Sequence, residues 1–418
     1  MSAVALDRPV VRPLDPSPAT DWPAVARTLA VRFSEGAVAR DRSGRKPVEE
    51  IAALRASGLV NVLYPRQYGG EGGTLHDAAW AVLELAKADG SIAALLGFHY
   101  YNALVPLLLD YQGDNAAVVR KSAANRWLWG NVTQYVDTNF VAEHHPDGGY
   151  TISGTKKWNT GAPLAEVTTL LAVHPDRTHY FYSHLPTSRE GIRFHDDWDP
   201  IGLRGADSST VTFDKVRIFP EDVLPWTHAG VQDGALPLWT TFGAVFYSAV
   251  FLGSTLGALD AARRYVAQGR RQFLPPGITS TGADPLVQAQ FGELWIQAQA
   301  GLAYFDRVIA QVQDGWDRRA TLDEEARGVL AVETLGLRSF TSRLALDIAP
   351  RIFEFGGGRA TYADNGFDRW WRDARVLASH DPLVYALRTV GDYALNGTVP
   401  RFPPRFKPVV QPQNGDVA

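Results

Sequence analysis

The sequence predicts a mainly α-helical protein with a small antiparallel β-domain, a barrel or sandwich, set in its middle. Two observations carry that expectation. Apolar residues recur at three- and four-residue spacing in the first and last parts of the chain, whereas between them they alternate. Gly, Asp, Asn and Pro punctuate the alternating part, as turns between short strands require.

The N-terminal helical domain is placed at residues 20–127. Ala24–Phe33, Val48–Ala56 and Leu75–Ala88 have helical periodicity, broken by the glycine-rich turn Gly69–Gly73. The β-domain follows at 128–234, with alternation in Tyr150–Ser153, Thr169–Val173, Tyr180–Leu185, Ile192–His195 and Thr210–Ile218. Long helices return at 235–400. Phe291, Leu294, Trp295, Ala298, Leu302, Phe305, Ile309 and Val312 read as one buried seam of a four-helix bundle. Val329, Val332, Leu335, Phe340, Leu344 and Ile348 read as a second. Residues 401–418 are Pro-rich, an extended surface tail.

Composition narrows the function. At 418 residues the chain exceeds one ordinary core, so two or three packed domains are expected. A net charge of -4 with scattered basic residues speaks against nucleic acid as a partner. With no cysteine, disulfides, thiolate nucleophiles, zinc-thiolate sites and iron–sulfur clusters are excluded. Met1–Pro18 lacks the apolar stretch of a signal peptide, and apolar runs such as Phe242–Leu252 read as too short for a membrane span. A cytoplasmic enzyme is expected.

No Gly-x-Gly-x-x-Gly lies between strand and helix patterns, since neither Gly69–Thr74 nor Gly356–Thr361 has that form. Reducing power must therefore arrive on something other than a nicotinamide bound here. No metal site is expected: His144 and His145 diverge in a turn, and His195-Asp196-Asp197 reads as a polar loop. A hydrolase elbow is missing as well. The informative segments are "GFHYYN" (97–102), "WLWGNVTQ" (127–134), "GTKKWNTGA" (154–162) and "FDRWWRDARVLASHDP" (367–382). Taken alone, His99 reads as a satisfied core histidine, and the three arginines of the last segment as a salt-bridged helix against a partner.

With "YPRQYGGEGG" (64–73), "GTKKWNTGA", "LGALDAARRYVAQGRRQF" (256–273) and "FGGGRATYADNGFDRWWRDAR" (355–375) in order, the chain resembles the acyl-CoA dehydrogenase superfamily along almost its whole length. It departs from true dehydrogenases. "GNVTQYVDTN" stands where they have Thr-Glu-Pro-x-x-Gly-Ser-Asp, Phe353 replaces the Gln of Gln-x-x-Gly-Gly, and the catalytic Glu of many members falls on Asp381. "ADGSIAALLGFHYYNA", "LPTSREGIRFHDDWDPIGLR" and "SHDPLVYALRTVGDYALNG" resemble the flavin-dependent monooxygenase branch typified by dibenzothiophene monooxygenase.

That resemblance implies the oxygenase component of a two-component system. An NAD(P)H-dependent flavin reductase supplies reduced FMN (FAD being the alternative), O2 gives a C4a-hydroperoxyflavin, and an apolar aromatic substrate is oxygenated on sulfur or carbon. It implies catalytic roles for His99, Asn131, Thr160 and His380. Flavin contacts are implied at Trp129, Asn131, Thr133, Trp158, Asn159, Thr160, Phe273 and Ser379. Arg270 or Arg271, with the register open by one, and Arg359 from another subunit would hold the phosphate. A homotetramer follows from that sharing. Phe98, Tyr100 and Phe246 are expected around the substrate. A flavin-dependent N-hydroxylase on the same fold and an FAD-dependent acyl-CoA dehydrogenase are the rival readings.

Overall fold

Asp21 opens the first helix, α1 (Trp22–Ser34): its carboxylate accepts the Ala24 N–H at 2.9 Å, and Pro23 needs no such partner. The computed structural model describes residues 20–109, 115–134, 139–177, 179–224, 238–269 and 274–401. Helices α2 (Ala37–Ser43), α3 (Val48–Ser57), α4 (Leu75–Ala86), α5 (Gly90–Ala103), α6 (Val105–Leu109) and α7 (Ala116–Asn125) complete the N-terminal domain. Thr74 and Asp77 form a reciprocal capping box that starts α4 directly after the glycine-rich turn.

The apolar runs are longer than the sequence reading expects. Gly90–Leu109 and the later helix Trp239–Ala267 are each long and apolar enough to cross a bilayer, with mean hydropathy 1.6. They are core helices, 94% and 89% buried inside the protein, and an element enclosed on all sides is apolar all round.

Among the described residues seven strands follow: β1 (Trp129–Val132), β2 (Glu143–His144), β3 (Tyr150–Lys156), β4 (Val167–Val173), β5 (Tyr180–Pro186), β6 (Ile192–Phe194) and β7 (Val211–Ile218). They form two sheets, ordered β1-β4-β5 and β2-β3-β7-β6, around Phe140, Ile152, Leu170, Phe181, Phe213 and Val216. The domain is not wholly antiparallel as expected. β1 runs parallel to β4, with Asn131 opposite Thr169, because the chain between them crosses to the other sheet and back before pairing.

The C-terminal domain holds α8 (Trp239–Ala267), α9 (Pro285–Asp317), α10 (Glu324–Arg351), α11 (Phe353–Gly356), α12 (Arg369–Ala378) and α13 (Leu383–Asn396). Gly253 and Gly257, one turn apart on α8, let it lie against the end of α4: a Cβ would come within 2.4 Å of the Leu83 carbonyl oxygen and 2.3 Å of that of Lys87. Leu294, Ala298, Phe305, Ile309 and Val312 form the buried seam of α9. Trp295 does not join it. One residue beyond Leu294 it has turned ~100° around the helix and is exposed, as is Phe340 on α10.

Helix α12 ties the domains together. Trp370 Nε1 donates to the Lys87 carbonyl at 3.1 Å, Arg372 pairs with Asp41 on α2, and Asp373 Oδ1 accepts the Leu203 N–H at 2.6 Å. Burial is the main cause pushing the Asp373 carboxyl up to about 7. The segment read as a salt-bridged helix is one, and its partner is the chain's own N-terminal domain. This anchoring fixes the residues at its end, Ser379 and His380.

Candidate active site

Between the β-domain and the bundle lies a cavity of about 760 Å³. Its β-domain wall carries Asn131, Thr133, Trp158, Thr160 and Ser208; its helical wall carries Phe98, Tyr101, Tyr247, Arg338, Ser379, His380 and Asp381.

The β-domain wall is built by a tight loop. Asn131 N–H donates to the Thr160 carbonyl at 3.0 Å, so strand β1 and the loop after β3 hold one another. The Asn131 amide oxygen accepts from the Thr133 hydroxyl at 2.6 Å, which leaves its N–H₂ group as the donor this cavity-lining side chain can offer a ligand. The Thr160 and Ser208 hydroxyls are 2.8 Å apart. Trp158 sits at φ +64°, a left-handed conformation uncommon for a large side chain, and its indole is exposed at the cavity mouth. Trp198 meets it edge-on, with ring centroids 6.0 Å apart.

On the helical wall, His380 Nε2 lies 3.2 Å from the Tyr247 hydroxyl and Nδ1 lies 3.2 Å from Asp381 Oδ2. Arg338 Nη1 donates to the same Asp381 oxygen at 2.9 Å. Burial works against the Asp381 charge, but the His380 and Arg338 hydrogen bonds and charges hold its carboxyl well below the usual carboxylate range. A tyrosine, an imidazole and an ionised carboxylate thus form a chain along which a proton can move between Tyr247 Oη and His380 Nε2. A carboxylate so paired is a weak base for a carbon-bound proton.

Of the expected site residues, Asn131, Thr133, Trp158, Thr160, Ser379, His380 and Phe98 line the cavity. Four others stand behind its wall. His99 is fully buried, with Nε2 2.7 Å from the Val60 carbonyl oxygen and Nδ1 accepting the Trp129 N–H at 3.0 Å. With both ring nitrogens engaged it is a strut between domains, and the reading as a core histidine describes its place. Trp129 is buried with Nε1 donating to Ser122 Oγ at 2.7 Å, and Tyr100 donates to the Leu59 carbonyl at 2.6 Å. Asn159 is buried and bonds the Lys156 and Ser209 carbonyls, bracing the loop from inside. Phe246 reaches only a small cleft beside the cavity. Arg359 is exposed on the turn Gly358–Thr361, outside this chain's cavity. Arg270, Arg271 and Phe273 lie outside the described residues.

Tyr247, Ser208 and Arg338 were not legible in the sequence as site residues. Tyr247 directly follows Phe246, and one helical step turns it from the core to the cavity. The one group of three metal-ligand types within reach of each other among the described residues is His174, Asp176 and His179, on the β-domain and outside the cavity lining.

Burial depresses His99 strongly, to about 4, from the ~6.5 of a free imidazole. The unfolded chain therefore takes up this proton first as pH falls, so the contribution is present above about pH 6.5 and is lost toward pH 4. Its full size is on the order of 3 kcal/mol. Asp373 acts in the opposite sense, since its raised value makes the folded state bind the extra proton below pH 7. His99→Gln keeps a donor and an acceptor but cannot titrate. Its apparent Tm is expected to fall less than wild type between pH 7.5 and 5; parallel curves would refute the assignment.

A helical domain, a β-domain and a helical bundle enclosing such a cavity form the three-part architecture that the resemblance implies. Models of the acyl-CoA dehydrogenase N-terminal, middle and C-terminal domains match residues 23–114, 131–216 and 245–384. Dibenzothiophene monooxygenase of Rhodococcus qingshengii is 35% identical, covering 93% of this chain and 96% of that protein. The probable FMNH2-dependent monooxygenase SfnC of Pseudomonas putida is 34% identical, covering 90% and 95%. Among solved structures, FMN-bound TdsC from Paenibacillus sp. A11-2 superposes with TM-score 0.87 at 32% identity, covering 92% and 99%. The methanesulfinate monooxygenase MsuC of Pseudomonas fluorescens gives 0.87 at 32%, covering 94% and 99%. The chain belongs to the acyl-CoA dehydrogenase family, in its flavin-dependent monooxygenase branch.

Proposed function

We infer that this chain is the oxygenase component of a two-component monooxygenase, using O2 and reduced FMN delivered by a separate NAD(P)H-dependent reductase. The observation that carries the reading is one cavity with two unlike walls: amide and hydroxyl donors on the β-domain, and the Tyr247–His380–Asp381 chain opposite. The residues fit a flat, polar-edged ring system. The Asn131 amide and the Thr160–Ser208 hydroxyl pair suit its carbonyl and nitrogen edge, and the Trp158 indole suits its face.

Bound reduced FMN supplies the electrons that activate O2. The remaining work belongs to the chain. Asn131 and Thr160 orient the flavin edge by hydrogen bonds, Trp158 covers the ring from water, and the β-domain wall excludes competing solvent. His380 holds or releases a proton at Nε2, while ionised Asp381 fixes the orientation of the ring from Nδ1. His99 positions β1 and so Asn131. Phe98, Tyr101, Ala244 and Leu377 give the substrate an apolar, partly aromatic surface. The relatives named for dibenzothiophene and methanesulfinate make organosulfur compounds the favoured class, oxygenated at sulfur. The dehydrogenase reading is disfavoured by the ion-paired state of Asp381.

A homotetramer in the cytoplasm is the assembly and location that fit this reading. Association of subunits is supported by the apolar residues exposed along α9 and α13, among them Trp295, Ile296, Val384 and Leu395. Titration with reduced FMN and with FAD tests the cofactor reading. Wild type is expected to prefer reduced FMN. Trp158→Gly is expected to weaken that binding several-fold while keeping or raising the apparent Tm, since glycine favours the left-handed φ. FAD retained through purification, or unchanged FMN affinity in the variant, would contradict it.

A further inference from the structure

We infer that the helical wall of the cavity carries an anion-recognising subsite centred on Arg338, so the substrate bears an oxyanionic head group (a carboxylate, sulfinate or sulfonate) beside its apolar body. This deepens, and rests on, the oxygenase reading above. Ala331, Thr334, Leu335 and Arg338 line the cavity at the spacing of one face of α10, which aims the Arg338 side chain into it. That side chain is 8% exposed. Among the described residues Nη1 alone has a partner, Asp381, and Nε and Nη2 have no hydrogen-bond acceptor.

Those two nitrogens lie on one edge of the planar guanidinium, the edge that grips two oxygens of one oxyanion side by side. A buried charged donor left unmet is costly, and a bidentate acceptor arriving with the substrate removes that cost. Asp381 does not do so, because the oxygen it gives to Arg338 also faces His380 Nδ1. The guanidinium is backed by the Tyr247 ring, with its carbon 4.9 Å from the centroid, so it has little freedom to turn elsewhere.

The charge balance points the same way. Arg375 also lines the cavity, bonds Ser379 Oγ at 3.4 Å, and has no carboxylate within ion-pair distance among the described residues. Asp381 is the one acidic residue of the lining among the described residues, so two guanidiniums face a single carboxylate. The cavity favours an anion beside its apolar surface, whereas a purely apolar aromatic would leave Nε and Nη2 of Arg338 buried and unmet.

The test is calorimetric, on anaerobic protein loaded with reduced FMN, using benzenesulfinate and the neutral methyl phenyl sulfoxide as matched probes. Wild type is expected to bind the sulfinate at least about tenfold more tightly. Arg338→Met should abolish that preference, Arg338→Lys should keep part of it, and Asp381→Asn should increase it by removing the competing carboxylate. Equal affinities in wild type, or a preference surviving in Arg338→Met, overturns the proposal. So does an Arg338→Met variant that loses only reduced-FMN affinity, because Arg338 would then serve the flavin. Wild-type O2 uptake with reduced FMN is measured in parallel: its absence defeats the oxygenase reading itself, and its presence without anion preference defeats the subsite alone.

Discussion

Replacing His380 by alanine is expected to lower product formation at least ~100-fold, the usual contribution of a positioned acid–base group, while reduced FMN still binds. His380 stands on the helical wall, across the cavity from the donors assigned to the flavin, so its loss should spare binding. O2 uptake should continue but become uncoupled, yielding hydrogen peroxide in place of product. His380→Gln should behave similarly, since an amide can accept from Tyr247 but cannot carry a proton. Tyr247→Phe should show a smaller loss and a shifted pH–rate profile. Normal product yield in His380→Ala would remove the imidazole from the mechanism.

The largest effect on stability is expected far from the cavity, at Arg40. Its side chain is 9% exposed and lies between Glu50 at 3.1 Å and Asp89 at 3.0 Å, two carboxylates of similar burial. Nη2 also donates to the Phe33 carbonyl. Asp89 in turn caps α5, accepting the N–H groups of Ser91 and Ile92. Arg40→Met leaves the Asp89 charge buried without its guanidinium, and breaking such a pair costs about 3–5 kcal/mol. Arg42, on the same helix, pairs with the exposed Asp364, and a surface pair contributes about 0–1 kcal/mol. Thermal melts should therefore show a large fall for Arg40→Met and almost none for Arg42→Met. Equal shifts would mean that the buried cluster does not hold this domain together.

The helix–sheet–helix order was legible because it rests on local periodicity, which the chain keeps in long stretches. The parallel pairing of β1 with β4 was not, because it depends on a crossover more than thirty residues long rather than on alternation within either strand. In the site, Thr160 and Trp158 could be found because one loop presents both. His99 and Asn159 have the right residue type in the right segment, yet the structure turns them inward, where their hydrogen bonds brace the wall. Tyr247 and Arg338 escaped for the converse reason: which face of α8 or α10 meets the cavity is decided by packing between domains. An arginine ending the stripe Ala331, Thr334, Leu335 was nevertheless a visible signal, since a charge on an apolar helix face needs a partner or a ligand.

Oxygen transfer driven by reduced flavin from outside is directly measurable. Wild-type protein should be supplied with reduced FMN, ¹⁸O2 and an organosulfur substrate, and the product analysed by mass spectrometry. One labelled oxygen atom per turnover is expected in the product, formed only when reduced FMN is present. Tightly held FAD that bleaches on adding an acyl-CoA, with no label incorporated, would contradict it.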